Sequence, residues 1–274
     1  MMRSIFTGVT LVLLMTQLTS AVVIDIDDDF NEITVSLGRT ILVEERTAIW
    51  CPTCAEIDPE LTSVADSHGP RVAIVALHTT DSFENDASRE RMEYQNLSDT
   101  GQYGTPTFFV DHLKTAEGYD AWQEVQKRIL TQENLRSTPI PMEFTISEGE
   151  VIAPVPLTGQ ITIMLLEHEK IVPEGDDNEG EDSRDRVLIA MRVIQSGGNI
   201  TDYGDLNTFP ESWSVVIVHE PIEGGEPYGV VEIAYRNVAE LESNQLFWII
   251  LGGLVIGGLA VFLPQREPRK TEEE

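Results

Sequence analysis

The sequence predicts an α/β domain, then an all-β sandwich domain, then a single transmembrane helix. Three observations carry that expectation. From Thr40 to about Leu135, buried-strand runs alternate with helical periodicity. From Ser137 to about Asn237, apolar residues recur with period two and no window has helical spacing. Leu246 to Leu263 is a run without a charge; at 1.5 Å per residue it covers ~27 Å, close to the hydrocarbon thickness of a bilayer.

Taken in order, Met1-Met2-Arg3 is followed by an apolar stretch to about Leu18 and then Thr19-Ser20-Ala21. A charged start, a short apolar core and small residues before a cut at Ala21 make a secretory signal peptide over 1–21. In the α/β domain, expected over 22–136, Thr40 to Val43 reads as a buried strand. Ile57, Leu61 and Val64 recur at helical spacing until His68-Gly69-Pro70 stops the helix. Arg71 to His78 is a second strand, Asp86 to Leu97 a helix, and Thr107 to Val110 a strand closed by a turn at Asp111–Lys114. Tyr119 to Leu135 is amphipathic, with Trp122, Val125 and Ile129 on one face. The sandwich, expected over 137–239, takes its strands from segments such as Ile161/Ile163/Leu165, Val187/Ile189/Met191/Val193, Val215/Ile217 and Val231/Ile233/Tyr235. The span is expected over 246–263 and a tail over 264–274. Arg266, Arg269 and Lys270 follow the span, which leaves the tail in the cytoplasm and everything earlier outside, in a single-pass cell-membrane protein.

Charge narrows the function classes. The chain of 274 residues has 47 Asp+Glu against 18 Lys+Arg, for a formal net charge of −29. All of the imbalance belongs to the exported region. Such acidity argues against nucleic-acid binding, which needs Lys/Arg clusters to displace phosphate counterions. Two cysteines exclude a disulfide scaffold and a four-cysteine zinc site. No Walker, Rossmann, HExxH or GxSxG pattern is present, so no nucleotide or hydrolytic chemistry and no cofactor is expected.

The sharpest motif is Trp50-Cys51-Pro52-Thr53-Cys54, just after a strand and at the start of a helix. There Cys51 meets unsatisfied N–H groups and the positive end of the helix dipole, which favour its thiolate. Cys54, one turn on, can reach it to form or resolve a disulfide, and Pro52 suits the first helical turn. A CxxC pair can also be half of an intermolecular metal site, copper included, or a structural disulfide. A metal would have to recruit His68, His78 or His112, none of which stands at ligand spacing.

With this motif in that setting, the chain resembles the thioredoxin superfamily over roughly residues 30–135. Tyr103 to Val110 (YGTPTFFV) is similar to the family's cis-proline segment, Glu45 to its buried carboxylate, and Trp50 to the aromatic before its nucleophile. The resemblance implies Cys51 as nucleophile, Cys54 as resolving thiol, a Cys51–Cys54 disulfide and Glu45 as proton relay. It also implies that Trp50, Thr105 and Pro106 meet the substrate. The Pro-Thr dipeptide differs from the Gly-Pro of cytosolic thioredoxins and looks more like extracytoplasmic oxidases, isomerases and glutaredoxin-like members, so the direction of electron flow stays open. The implied function is a membrane-anchored, extracytoplasmic thiol–disulfide oxidoreductase, with protein thiols or disulfides as substrates and a redox partner in the same membrane. Its alternatives are a redox-inert surface binding protein on a thioredoxin-like scaffold, or metal handling by the pair.

Other features are weaker. Pro173 to Asp185 holds seven acids and one arginine and reads as a solvated, mobile hairpin tip, with only a faint calcium-loop spacing. Asp25 to Asp29 is a second acidic run, and Asn96 and Asn199 begin glycosylation sequons. His168 and His219 fall in strand patterns and are not expected as ligands.

Overall fold

In the computed structural model, residues 21–96, 103–135, 138–147 and 149–237 are described, and the account is of these. The first part of the chain forms β1 (Ala21–Asp25), β2 (Ile33–Ser36), β3 (Ile41–Thr47), helix α1 (Pro52–His68) and β4 (Val72–His78). Helix α2 (Asp86–Gln95), the hairpin β5 (Thr107–Val110) and β6 (Leu113–Glu117), and helix α3 (Ala121–Leu135) follow. The remainder is strand: β7 (Glu143–Ser147), β8 (Glu150–Ile152), β9 (Gln160–Glu167), β10 (Lys170–Ile171) and β11 (Ser183–Arg184). Then come β12 (Val187–Gln195), β13 (Ile200–Tyr203), β14 (Trp213–Glu220) and β15 (Gly229–Arg236).

Ten of these strands make one mixed sheet in the order β1–β15–β14–β9–β12–β4–β3–β5–β6, with β13 paired on β12. Strands β3 and β4 are parallel and joined through α1, whereas β5 runs antiparallel to β3 and β6 antiparallel to β5. The β5–β6 turn places Asp111 and His112 at φ of 50° and 69°, the pair of positive values that matches a two-residue hairpin to strand twist. It therefore starts a strand at Leu113, where the sequence suggested only a turn.

Two layers cover one face of the sheet. Helix α1 lays Ile57, Leu61 and Val64, and α3 lays Trp122, Val125 and Ile129, on Ile41, Val43, Ile74, Phe108 and Val110. Further along, the three-stranded sheet β2–β7–β8 packs Val35, Phe144, Ile146 and Val151 on Ile161, Ile163, Leu165, Val215, Ile217 and Ile233. On the opposite face Leu42, Val75 and Leu77 merge with Met164, Leu166, Leu188, Val216 and Val218, and α2 closes over them through Ala87.

The expected fold class is therefore corrected. The α/β segment and the following strands are not an α/β domain followed by a separate sandwich. They share one sheet, because β12 adds to β4 in parallel through Val187↔Ala76 and the Ala76 N–H donates to the Arg186 carbonyl at 3.0 Å. The sheet-on-sheet packing that does occur borrows β2 from before the cysteine motif, pairing it with β7. The architecture is mostly β, with three α-helices among the described residues. The expected transmembrane helix is not among the helices of the described residues, none of which is long and apolar enough to cross a membrane. The run 246–263 and the leader 1–20 lie outside the described residues.

Candidate active site

Cys51 and Cys54 form a disulfide with Cα atoms 5.3 Å apart. Cys51 stands where strand β3 has ended and α1 begins. Its carbonyl accepts the Ala55 N–H at 3.1 Å, and its Sγ accepts the Cys54 N–H at 3.1 Å. That is the bonding pattern of an N-cap residue, with sulfur in place of a hydroxyl oxygen. An N–H aimed at the sulfur, at the positive end of a helix, stabilises negative charge there once the bond is reduced. The two cysteines are 4% and 1% exposed, and Trp50 beside them is 39% exposed. Trp50 is held by its indole N–H, which donates to the Thr80 carbonyl at 3.2 Å.

The loop after β4 grips the residues before Cys51. Asp81 accepts the Ile49 N–H at 2.8 Å and those of Phe83 and Glu84 at 2.9 and 3.1 Å, and it bonds His78 Nδ1 at 2.8 Å. Burial raises the Asp81 carboxyl, but the His78 hydrogen bond and charge and the Ile49 and Phe83 N–H groups outweigh it and hold the group below its usual range. Stability tied to a lowered carboxyl is complete above the unfolded value and is lost as pH falls through the folded one. Asp81→Ala orphans several of these donors at about 1–3 kcal/mol for a buried group left unpaired. The expected result is a loss of about 2 kcal/mol in urea unfolding near pH 7, shrinking relative to the unsubstituted protein on acidification below about pH 4.

Glu45 lies on the face of β3 that α1 covers, and it is 2% exposed. Its Oε1 is buried without a hydrogen-bond partner. Burial first, and then the neighbouring Asp58 carboxylate, push its carboxyl well above the usual range against the pull of Arg184. Asp58, on α1, is pushed up to about 6 by burial; Arg184 and His78 oppose the shift, and Glu181 and Asp185 add to it. A raised carboxyl has the opposite linkage from Asp81. Its contribution to stability is complete below the unfolded value of about 4 and is lost as pH rises through about 6.

The Thr105–Pro106 peptide bond is cis. Thr107 pairs with Arg46 across β5 and β3, so the dipeptide sits at the same end of the sheet as the chain leaving β3 for Cys51. Pro106 is buried and its carbonyl accepts the Gly118 N–H at 3.0 Å.

The acidic segment 173–185 is not the free tip that its composition suggested. A short hairpin of β10 and β11 carries it back over the motif. The Glu179 N–H donates to the Ile49 carbonyl at 3.0 Å, and Arg184 reaches the same carbonyl at 3.5 Å and Asp58 at 3.4 Å. Gly180 permits this closeness, because a Cβ there would lie 3.1 Å from the Ala55 side chain and 2.6 Å from Arg184. Six of the segment's seven acids are exposed, and Asp185 is half-buried against His168 and Arg186. Asp58, His78, Asp81 and Arg184 are the site residues that sequence reasoning missed.

His168 bonds Asp185 at 2.5 Å and Ser214 at 2.7 Å, the order of a hydrolase relay, but Ser214 is wholly buried on β14 and offers no surface to a substrate. Among the described residues no group of three or more His, Cys, Asp or Glu is arranged to hold a metal ion.

No family model and no curated protein matches the chain. Among solved structures it is similar to HBP35 of Porphyromonas gingivalis, with a TM-score of 0.50 and 14% identity over 75% of this chain and 79% of that one. It is also matched to a structural-genomics target from Agrobacterium tumefaciens, with a TM-score of 0.45 and 11% identity over 73% of this chain and 95% of the other. At such identities the first likeness concerns the fold alone, and the second carries no argument.

Proposed function

We propose that the chain is a thiol–disulfide oxidoreductase acting on protein thiols or disulfides outside the cytoplasm, with Cys51 as nucleophile and Cys54 as resolving thiol. The observation that carries the reading is the disulfide at the N-terminus of α1, whose Cys51 sulfur accepts the Cys54 N–H at 3.1 Å. Further support comes from the order β4–β3–β5–β6, with α1 crossing between parallel β3 and β4 and α3 packed on the same face. That strand–helix–strand setting, with a last helix on the same sheet, is what the sequence leads one to expect around the motif. The buried, unpartnered Glu45 supports its assignment as proton acceptor for Cys54. Trp50 and the Thr105 backbone are assigned to substrate contact.

In the reaction, a thiolate of one partner attacks a sulfur of the other to give a mixed disulfide, which the remaining thiol resolves. Which partner starts reduced is set by the relative potentials, so the pair can serve as oxidant or reductant. The test is release of thiol from a model peptide disulfide by the reduced protein near neutral pH. Absence of any exchange in either direction would overturn the reading.

A further inference from the structure

A chamber of about 40 Å³ lies beneath helix α1, with Glu45, Asp58, Thr62, His78, Arg184 and Asp185 in its wall. Two of these residues carry buried polar atoms that lack a hydrogen-bond partner, Glu45 Oε1 and His78 Nε2. A polar space of that size accommodates a water, which needs two to four polar partners; Glu45, His78 and the Asp58 carboxylate can supply them. An open cleft of about 520 Å³ beside α1 shares Asp58, Thr62, Arg184 and Asp185 with the chamber. Asp58 therefore stands in the wall between the enclosed carboxylate and solvent. It is four residues after Cys54 on the same helix, a spacing that puts the two on one face.

Resting on the thiol–disulfide reading, we propose that Asp58 exchanges the proton of the resolving thiol with solvent, through Glu45 and a water in this chamber, and that Arg184 positions Asp58 for it. When a mixed disulfide on Cys51 resolves, Cys54 gives its proton to the Glu45 carboxylate and its sulfur attacks Cys51 Sγ. The Cys51–Cys54 bond forms, the bond from Cys51 to the substrate sulfur breaks, and that sulfur leaves with the electron pair as a thiolate, which solvent protonates. Over the whole exchange the pair is oxidised by two electrons and the substrate disulfide is reduced by two. The proton on Glu45 passes to the water, to Asp58 and out to the cleft.

The charges around Asp58 come from every neighbouring element: Glu45 on β3, His78 on β4, Arg184 on β11 at 3.4 Å, Glu181 before it, and Asp185 and Arg186 after it. The Asp58 carboxyl, raised to about 6 chiefly by burial, gains and loses a proton near neutral pH, as a group in exchange with solvent must. Arg184 belongs to the acidic segment folded over the motif, which gives that segment a task at the site.

The test is resolution of a Cys51–peptide mixed disulfide, followed from about pH 5 to about pH 9 in the full chain, for the unsubstituted protein and Asp58→Asn. The expected result is resolution about tenfold slower near pH 7, loss of the limb near pH 6 from the rate profile, and no fall in thermal midpoint. The first attack by Cys51 should keep its rate, so the mixed disulfide should accumulate. Asp58→Glu should restore part of the rate. An Asp58→Asn profile identical to that of the unsubstituted protein overturns the relay while leaving the exchange reading intact. An unsubstituted protein that performs no exchange overturns both. Should Asp58→Asn fail to fold, Arg184→Gln gives the same decision: the limb should move to higher pH, and an unmoved limb overturns the relay.

Discussion

Replacing Arg91 with alanine is expected to cost about 3–5 kcal/mol of folding stability, the penalty for breaking a buried ion cluster from one side. Arg91, on α2, is 1% exposed. Its Nε donates to Glu44 of β3 at 2.5 Å and its Nη1 to Glu220 of β14 at 2.6 Å, and both carboxylates are wholly buried. Glu220 is further held by Thr162 of β9 at 2.5 Å, and the Arg91 guanidinium lies 4.7 Å from the Tyr94 ring centre. Removing the guanidinium leaves two desolvated carboxylates without a cation. Against a typical total of 5–15 kcal/mol, that loss takes a large share of the stability. Arg91→Lys keeps the charge and loses the fork, so it should cost less. Urea unfolding near pH 7 measures the difference. The sign with pH is also fixed: the orphaned carboxyls in Arg91→Ala would be raised, so its deficit should shrink as pH falls. A deficit under about 1 kcal/mol would show that the cluster is not what joins α2 to both parts of the sheet.

The second large effect concerns chemistry. Cys51→Ser should lower thiol–disulfide exchange on the order of 10³-fold or more, because a hydroxyl neither ionises near neutral pH nor forms the mixed disulfide; loss of a nucleophile is among the largest single effects in enzymes. The fold should survive, since the hydroxyl oxygen can still accept the Cys54 N–H that Cys51 Sγ accepts at 3.1 Å and serine is a good N-cap. Exchange retained at the original rate would place the reactive sulfur at Cys54 and reverse the assigned roles.

Much of the local structure was legible because periodicity is local. Ile57, Leu61 and Val64 mark α1, and Trp122, Val125 and Ile129 mark α3, by spacing alone. The motif likewise showed its strand-to-helix setting. The pairing of β12 with β4 was not legible, because it rests on an edge contact between residues more than a hundred positions apart, and a run of apolar residues such as Val72–Leu77 does not say which strand it will meet. The same distance explains the polar part of β3. Glu44, Glu45 and Arg46 follow the buried run Thr40–Val43 and by their charge would be placed at the surface, yet all three are buried. Glu44 is neutralised by Arg91, and Arg46 donates to Gln95 at 2.9 Å and stacks over Phe109 at 4.8 Å. Glu45 alone lacks such a partner for Oε1 and faces the chamber. Composition also misled at 173–185, where seven acids suggest a solvated tip, while Gly180 and Arg184, two residues among thirteen, decide that the segment docks on the motif.

The burial of the pair explains why Trp50 and the segment around Thr105 matter to the proposed reaction. With Cys51 only 4% exposed, a peptide substrate in the proposed reaction would have to lie close against this end of the sheet to bring its sulfur to the pair.

The most direct measurement is a trapping experiment with Cys54→Ala. Without a resolving thiol, the reduced protein should react with a peptide disulfide and stop at a stable mixed disulfide, seen by mass spectrometry as one peptide attached at Cys51 and released by dithiothreitol. No adduct at Cys51, with the protein folded and its single thiol confirmed reduced, would contradict the account.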